Sequence, residues 1–131
     1  MNLTPRQVRR LVRAALAARR QAYAPYSKFP VGAALLAGNG KIYTGVNVEN
    51  ASFGLTICAE RVALGKAVSD GARSFVAVAC VAADPNLSPC GACRQALAEF
   101  GPCAVICADA RRPLRVRVEP LAELLPRAFQ R

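Results

Sequence analysis

Three features of the sequence predict an α/β fold in which helices cover both faces of one sheet. Helix-periodic segments alternate with strand-like runs in the order α-β-β-α-β-α-β-β-α, which buries a sheet between helical layers. Two runs, Phe75 to Ala83 and Cys103 to Ala108, are continuously apolar, as expected of central strands covered on both sides. A hydrophobic content of 53% in 131 residues is ample for one packed core, so a single domain over 1–131 is expected.

Thr4-Pro5 starts the first helix, with a capping hydroxyl before a proline at the first helical position, and the apolar periodicity runs to about Ala22. Ala24-Pro25-Tyr26-Ser27 ends it. Val31 to Ala37 and Lys41 to Glu49 flank Gly38-Asn39-Gly40 and read as two antiparallel strands joined by a tight turn. A loop from Asn50 to Thr56 leads into a helix from about Cys58 to Ser69, closed by Asp70-Gly71. After the strand at Phe75 comes a loop, Asp84 to Pro89, then a helix over about Gly91 to Phe100 ended by Gly101-Pro102. Leu114 to Val118 alternates with Arg115 and Arg117, the pattern of an edge strand with those arginines on a solvated face. Pro120 to Leu125 makes a short last helix.

Composition narrows the function classes. No run of eighteen apolar residues crosses a membrane, and the arginine-rich start lacks the apolar core of a secretion signal, so a soluble cytoplasmic protein is expected. A transit peptide is the alternative for that start, but the segment reads well as the first helix of the fold. The formal charge of +10 raises nucleic-acid binding. Its distribution argues against it. Six of the eighteen cations, Arg6, Arg9, Arg10, Arg13, Arg19 and Arg20, lie on the first helix opposite a stripe of Val8, Leu11, Val12, Ala15 and Leu16, and no aromatic residues interleave with them to stack bases. A solvated helix face is the simpler reading.

Six cysteines in a short chain suggest either disulfides or metal ligation. The high apolar fraction favours ligation by three and burial of three. Cys80 sits inside an apolar run, and Cys103 and Cys107 share one face of a strand-like segment, so these three read as small core residues. The other three fall in two motifs: Cys58-Ala59-Glu60-Arg61 and Pro89-Cys90-Gly91-Ala92-Cys93-Arg94. Cys90 and Cys93 form a C-x-x-C pair at a helix start, Cys58 supplies a third sulfur from a second helix start, and a fourth position stays open for water, as catalytic zinc requires. Positions i and i+2 of a helix do not share a face, so Glu60 stands beside the metal and suits a proton carrier.

These motifs match the zinc deaminase signature. The chain resembles the small all-cysteine cytidine deaminases through Tyr23-Ala24-Pro25-Tyr26-Ser27, Phe29-Pro30-Val31-Gly32-Ala33-Ala34, Asn47-Val48-Glu49-Asn50-Ala51, Ser88 to Gln95 and Leu124-Leu125-Pro126. The resemblance implies a cytidine deaminase-like α/β/α sandwich around a five-stranded mixed sheet, with the two metal-bearing helices side by side. It implies one zinc ion per chain on Cys58, Cys90 and Cys93, a homotetramer, and hydrolytic deamination of cytidine and deoxycytidine to uridine and deoxyuridine in pyrimidine salvage. In that reaction Glu60 takes the water proton, delivers it to N3 of the pyrimidine and assists loss of ammonia.

Three thiolates around Zn2+ leave a formal charge of −1, which makes a bound water a poorer acid than on a neutral ligand set. Helix N-termini and arginines can draw charge back. Arg61 is i+3 from Cys58 and Arg94 is i+4 from Cys90, so each can reach back along its helix toward a sulfur; for Arg94, plain packing use is the equal alternative. Asn47 and Glu49 project from one strand face, and the resemblance gives them the ribose hydroxyls, with Phe29 and Ala59 also at the substrate. A carboxylate at Glu49 accepts from a free hydroxyl and repels phosphate, which favours a nucleoside over a nucleotide. Phe53 stands where relatives often have tyrosine, and the missing hydroxyl puts subunit contacts there in question. Phe129, in a charged tail, either packs over a neighbouring subunit's pyrimidine, as the resemblance suggests, or folds back on its own domain.

Two other readings compete. A deaminase of another amino-pyrimidine or of a nucleoside antibiotic such as blasticidin S shares the zinc motifs, but the Asn47-x-Glu49 pair argues against it. A zinc-stabilised nucleic-acid-binding module requires four protein ligands, and the sequence offers no histidine and no fourth cysteine near the cluster.

Overall fold

The structure, a computed structural model, describes residues 3–131. Helix α1 (Pro5–Ala18) begins in a capping box: the Gln7 amide donates to Thr4 Oγ1 at 3.1 Å and the Thr4 amide donates to Gln7 Oε1 at 2.8 Å. Its periodicity predicted a helix to about Ala22. Instead the last turn tightens to a 3-10 turn at Arg19–Gln21, where Arg19 Nε donates to Pro30 O at 3.0 Å.

Strands β1 (Gly32–Ala37) and β2 (Ile42–Val46) form the expected hairpin, with Gly40 supplying the left-handed residue of the turn at φ 89. Then come α2 (Ala59–Ser69), β3 (Phe75–Ala82), α3 (Gly91–Ala98), β4 (Ala104–Asp109), β5 (Val116–Pro120) and a short α4 (Leu121–Leu124). The sheet order is β2-β1-β3-β4-β5. The β3–β4 pair is parallel and the other pairs are antiparallel, so the sheet is mixed as expected. The parallel pair follows from α3, which carries the chain back over the sheet between β3 and β4.

Side-chain alternation divides the core. Leu11, Val12 and Ala15 of α1 pack with Ala34, Leu36, Ala77, Ala79, Val81 and Ile106 on one face. Ala63 and Leu64 of α2, Leu97 of α3 and Leu121 of α4 pack with Ala33, Leu35, Val78, Cys80, Val105 and Cys107 on the other. The three non-motif cysteines are buried core residues, as expected.

Strand β5 is at the sheet edge, as expected, but solvent reaches both of its faces and not one. Pairing of Ile106 with Val118 and Cys107 with Arg117 turns the valines toward the α1 layer and Arg117 toward the α3 layer. Arg117 there donates to Leu87 O and Glu119. The valine face, expected to be dry, lies open because α1 seats over β1 and β3 and stops short of β5, leaving a groove lined by Val8, Val12, Leu16, Val116 and Val118.

Candidate active site

Both cysteine motifs place a cysteine where a helix begins. Cys58 is the N-cap of α2 and Cys90 the N-cap of α3, both with extended backbone, so their sulfurs stand beside helix ends whose free N–H groups favour negative charge. Cys93 follows one turn into α3 and is buried, whereas Cys90 is exposed. Helix α2 is seated by Gly45 of β2. A Cβ there would stand 2.3 Å from Ala59 O and 2.5 Å from the Ala63 nitrogen, so only glycine allows the helix start to lie this close to the sheet.

The sulfurs converge. Cys58 Sγ is 3.6 Å from Cys90 Sγ, Cys90 Sγ is 3.5 Å from Cys93 Sγ, and all three lie within 4.8 Å of one another. Zinc–sulfur bonds of about 2.3 Å at tetrahedral angles place sulfurs about 3.8 Å apart, so the spacing and the all-thiol chemistry fit zinc. Arg61 Nη2 lies 3.7 Å from Cys58 Sγ. A hydrogen bond from the Cys93 thiol, and then the Arg61 guanidinium, pull the Cys58 thiol down to about 5 against the opposing effect of burial. Cys93 moves the opposite way, because its proton is held by Cys58 and its surroundings are dry. The Arg61 Nε is buried without a hydrogen-bond partner among the described residues.

Glu60 lies in the first turn of α2, 5% exposed, and is one of two buried polar residues among those described. Burial first, and then the negative charge at Cys58, push its carboxyl upward. Ala59 is wholly buried beside it.

Asn47 and Glu49 follow the end of β2. The predicted strand to Glu49 stops at Val46, since Val48 leaves β1 to pair with Tyr23 and Ile57. Asn47, 8% exposed, donates from Nδ2 to Phe29 O at 2.9 Å and accepts from the Val31 amide at 2.9 Å. Glu49 Oε1 accepts from the Tyr26 and Ser27 amides at 2.9 and 3.1 Å, and Oε2 accepts from the Ser27 hydroxyl. The two side chains thereby hold the segment that carries Phe29, which packs partly against the core.

The family model for the cytidine and deoxycytidylate deaminase zinc-binding region matches residues 5–109. This chain belongs to that family. A cytidine deaminase from Sporosarcina psychrophila is 51% identical over 127 residues, covering 95% of this chain and 92% of the relative. A crystal structure of cytidine deaminase from Burkholderia pseudomallei superimposes with a TM-score of 0.83 at 47% identity, covering 92% of this chain and 97% of the other. A blasticidin-S deaminase from Bacillus cereus is more distant, 31% identical over 115 residues and covering 80% of each chain.

The two arginines of this deaminase family member divide their work. Arg61 reaches a sulfur. Arg94 reaches back along α3 as the spacing suggested but ends on other acceptors: Nε donates to Pro89 O at 2.8 Å, Nη2 to Ser88 Oγ at 2.7 Å, and Nη1 to Leu124 O at 2.7 Å. It braces the loop before Cys90 against α4 and makes no hydrogen bond to a sulfur. Phe53 is 75% exposed and meets Tyr26 edge-on at 6.0 Å between ring centroids. Phe129 is 69% exposed, so its ring does not fold back into the core, although its backbone pairs with Gln95.

Ser27, Gly45 and Gln95 acquire their roles only in three dimensions. Ser27 and Gln95 fall inside the motifs that carry the resemblance, but nothing local marks their partners, which lie 22 and 34 residues away in sequence.

Proposed function

We propose that the chain, as one domain over 1–131, catalyses hydrolytic deamination of cytidine and deoxycytidine to uridine and deoxyuridine, with one zinc ion per chain on Cys58, Cys90 and Cys93. The observation that carries this reading is the buried Glu60 carboxylate beside a cluster of three thiols that leaves a fourth position open. When bound, zinc supplies a nucleophile at neutral pH by acidifying water. Glu60 would accept a proton from the attacking water and pass it to N3 of the pyrimidine as the oxygen adds to C4. It would then carry the remaining hydroxyl proton to the C4 amino group, so that the C4–N bond breaks, ammonia leaves and the C4 carbonyl of the uracil ring forms. Arg61 holds the Cys58 sulfur anionic and offsets the charge of the thiolates.

Substrate selection follows from Glu49, Asn47 and Phe29. A carboxylate offers about four lone-pair sites, and the three donors from Tyr26 and Ser27 leave Glu49 one acceptor for a ribose hydroxyl. Its negative charge opposes a 5′-phosphate. Asn47 keeps one N–H and one lone pair beyond its bonds to Phe29 and Val31. Phe29 lines the base; Ala59, expected at the substrate, has no exposed surface and packs in the core. The arrangement supports nucleosides over nucleotides, and a ribose-binding pair over an antibiotic such as blasticidin S.

The working unit is a homotetramer. Tyr23, Tyr26, Val48, Phe53, Leu55 and Ile57 are all exposed, Val48 bridges Tyr23 to Ile57 and Tyr26 meets Phe53, and exposed apolar side chains grouped in this way support a protein contact. The Phe53 ring packs without a hydroxyl, and Phe129 reaches over the pyrimidine of a neighbouring subunit. No helix among the described residues is long and apolar enough to cross a membrane. A cytoplasmic place in pyrimidine salvage is part of the same reading, since a nucleoside deaminase acts on free nucleosides.

The test is an ultraviolet assay of purified, metal-quantified protein on cytidine, deoxycytidine, CMP, cytosine and blasticidin S, with light scattering on the same sample. The first two are expected to be consumed by a tetramer holding one zinc per chain. Preferential turnover of blasticidin S or CMP, or an active monomer, overturns the reading.

A further inference from the structure

Gln95 and Phe129 face each other with both amide ends matched. Gln95 Nε2 donates to Phe129 O at 3.1 Å, and the Phe129 amide donates to Gln95 Oε1 at 3.3 Å, the reciprocal pairing that a neighbouring β-strand would offer. The preceding residue on the same helix, Arg94, takes Leu124 O. Between these two anchors the chain turns sharply at Arg127, whose φ of 58 is a left-handed conformation that a residue with a Cβ adopts only when its surroundings hold it there. The tail backbone is therefore pinned while the Phe129 ring is left largely in solvent. Both anchors belong to α3, the helix that starts at Cys90 and carries Cys93.

We propose that Gln95 is the positioning residue for Phe129, fixing the height and direction of that ring relative to the metal-bearing helix. The proposal rests on the reading that Phe129 covers a pyrimidine in a neighbouring subunit. A flexible tail must lose its freedom each time it closes over a substrate, whereas a ring already held in place gives up less. Removing the tether therefore weakens substrate binding and leaves the chemical step alone, since Gln95 touches neither the sulfurs nor Glu60 among the described contacts.

The experiment uses the zinc-loaded full chain and four variants: Gln95→Ala, Gln95→Glu, Phe129→Ala and the double Gln95→Ala/Phe129→Ala. Hydrogen exchange of the peptide 126–131 reads the tether directly. It should accelerate in Gln95→Ala and less so in Gln95→Glu, which keeps an acceptor for the Phe129 amide and loses the donor. The Michaelis constant for cytidine should rise roughly two- to tenfold in Gln95→Ala and in Phe129→Ala, the range for one aromatic contact, with kcat and zinc content unchanged. The double variant should be no worse than Phe129→Ala, because the tether has nothing left to position. Exchange at the parent rate in Gln95→Ala overturns the proposal, as does a double variant whose loss is the product of the two single losses. If Phe129→Ala alone leaves the Michaelis constant unchanged, the reading of Phe129 at a neighbour's substrate fails, and the exchange rates still decide whether Gln95 holds the tail.

Discussion

The Cys58 and Cys90 sulfurs stand 3.6 Å apart although 32 residues separate them in the sequence. Each is the N-cap of its own helix, and the two helices lie side by side on one face of the sheet, so the packing of α2 and α3 sets the width of the thiol cluster. The spacing of the sulfurs thus depends on how two helices pack and not on either motif alone.

Zinc content should separate the six cysteines into two groups. Cys58→Ser, Cys90→Ser and Cys93→Ser should each release the metal and abolish activity. Cys80→Ser, Cys103→Ser and Cys107→Ser should keep it and lower thermal stability, since a buried hydroxyl without a dedicated partner costs about 1–3 kcal/mol. Metal analysis alongside thermal unfolding measures both. Stoichiometric zinc in Cys90→Ser would remove that residue from the ligand set.

Glu60→Gln keeps the shape of the side chain and removes its capacity to accept a proton. Bound zinc should be unchanged and kcat should fall by about 10²- to 10⁴-fold or more, since one carboxylate serves several proton transfers. A variant within tenfold of the parent rate would rule out the role.

How much of this could be read in advance depended on the range of each contact. Cys58, Cys90, Cys93 and Glu60 lie in two short motifs at helix starts, and helix starts are marked locally, so the convergence of the three thiols beside a buried carboxylate was legible. Phe75 to Ala82 and Ala104 to Asp109 were legible as central strands because no polar residue interrupts them before their ends. Strand β5 was misread at its faces, because Arg115 and Arg117 carry the same alternation whichever side the helices cover. Only the reach of α1 across the sheet decides that Val116 and Val118 are the open side. The bond from Ser27 to Glu49 and that from Gln95 to Phe129 were equally out of reach, since each joins segments that only the finished fold brings together.

Gly45 offers a test of the sheet's grip on the site. A methyl group there meets backbone atoms of Ala59 and Ala63, which have no rotamer by which to move away. Gly45→Ala should cost about 1–3 kcal/mol of stability, as overpacking usually does. Because α2 must shift to relieve the clash, zinc affinity and kcat should fall with it. Gly65→Ala, on the same helix with open space around its Cα, is the control and should change neither. Parental zinc affinity in a destabilised Gly45→Ala protein would show that the ligands do not depend on this contact.

The charge of Glu49 gives the sharpest test of substrate choice. Its carboxyl is held below the usual carboxylate range, first by the Ser27 hydroxyl and then by the Ser27 and Tyr26 amides, and the Lys28 charge adds to them. A folded-state value below the unfolded one means that the ionised clamp is complete above the ordinary carboxylate value of about 4.3 and is lost only as pH falls through the lowered one. The Michaelis constant of the parent for cytidine should therefore be free of any Glu49 titration above about pH 5. Ser27→Ala removes the largest stabilising contact, so the acid-side rise in that constant should begin at higher pH than in the parent. Glu49→Gln removes the charge altogether. Cytidine should then bind about tenfold or more weakly, the worth of a hydrogen bond to a charged group, while CMP loses less because the repulsion of its phosphate disappears as well. The ratio of kcat/KM for CMP to that for cytidine should rise in Glu49→Gln. Equal losses on the two substrates, or coincident pH profiles for Ser27→Ala and the parent, would assign phosphate discrimination to some other part of the site.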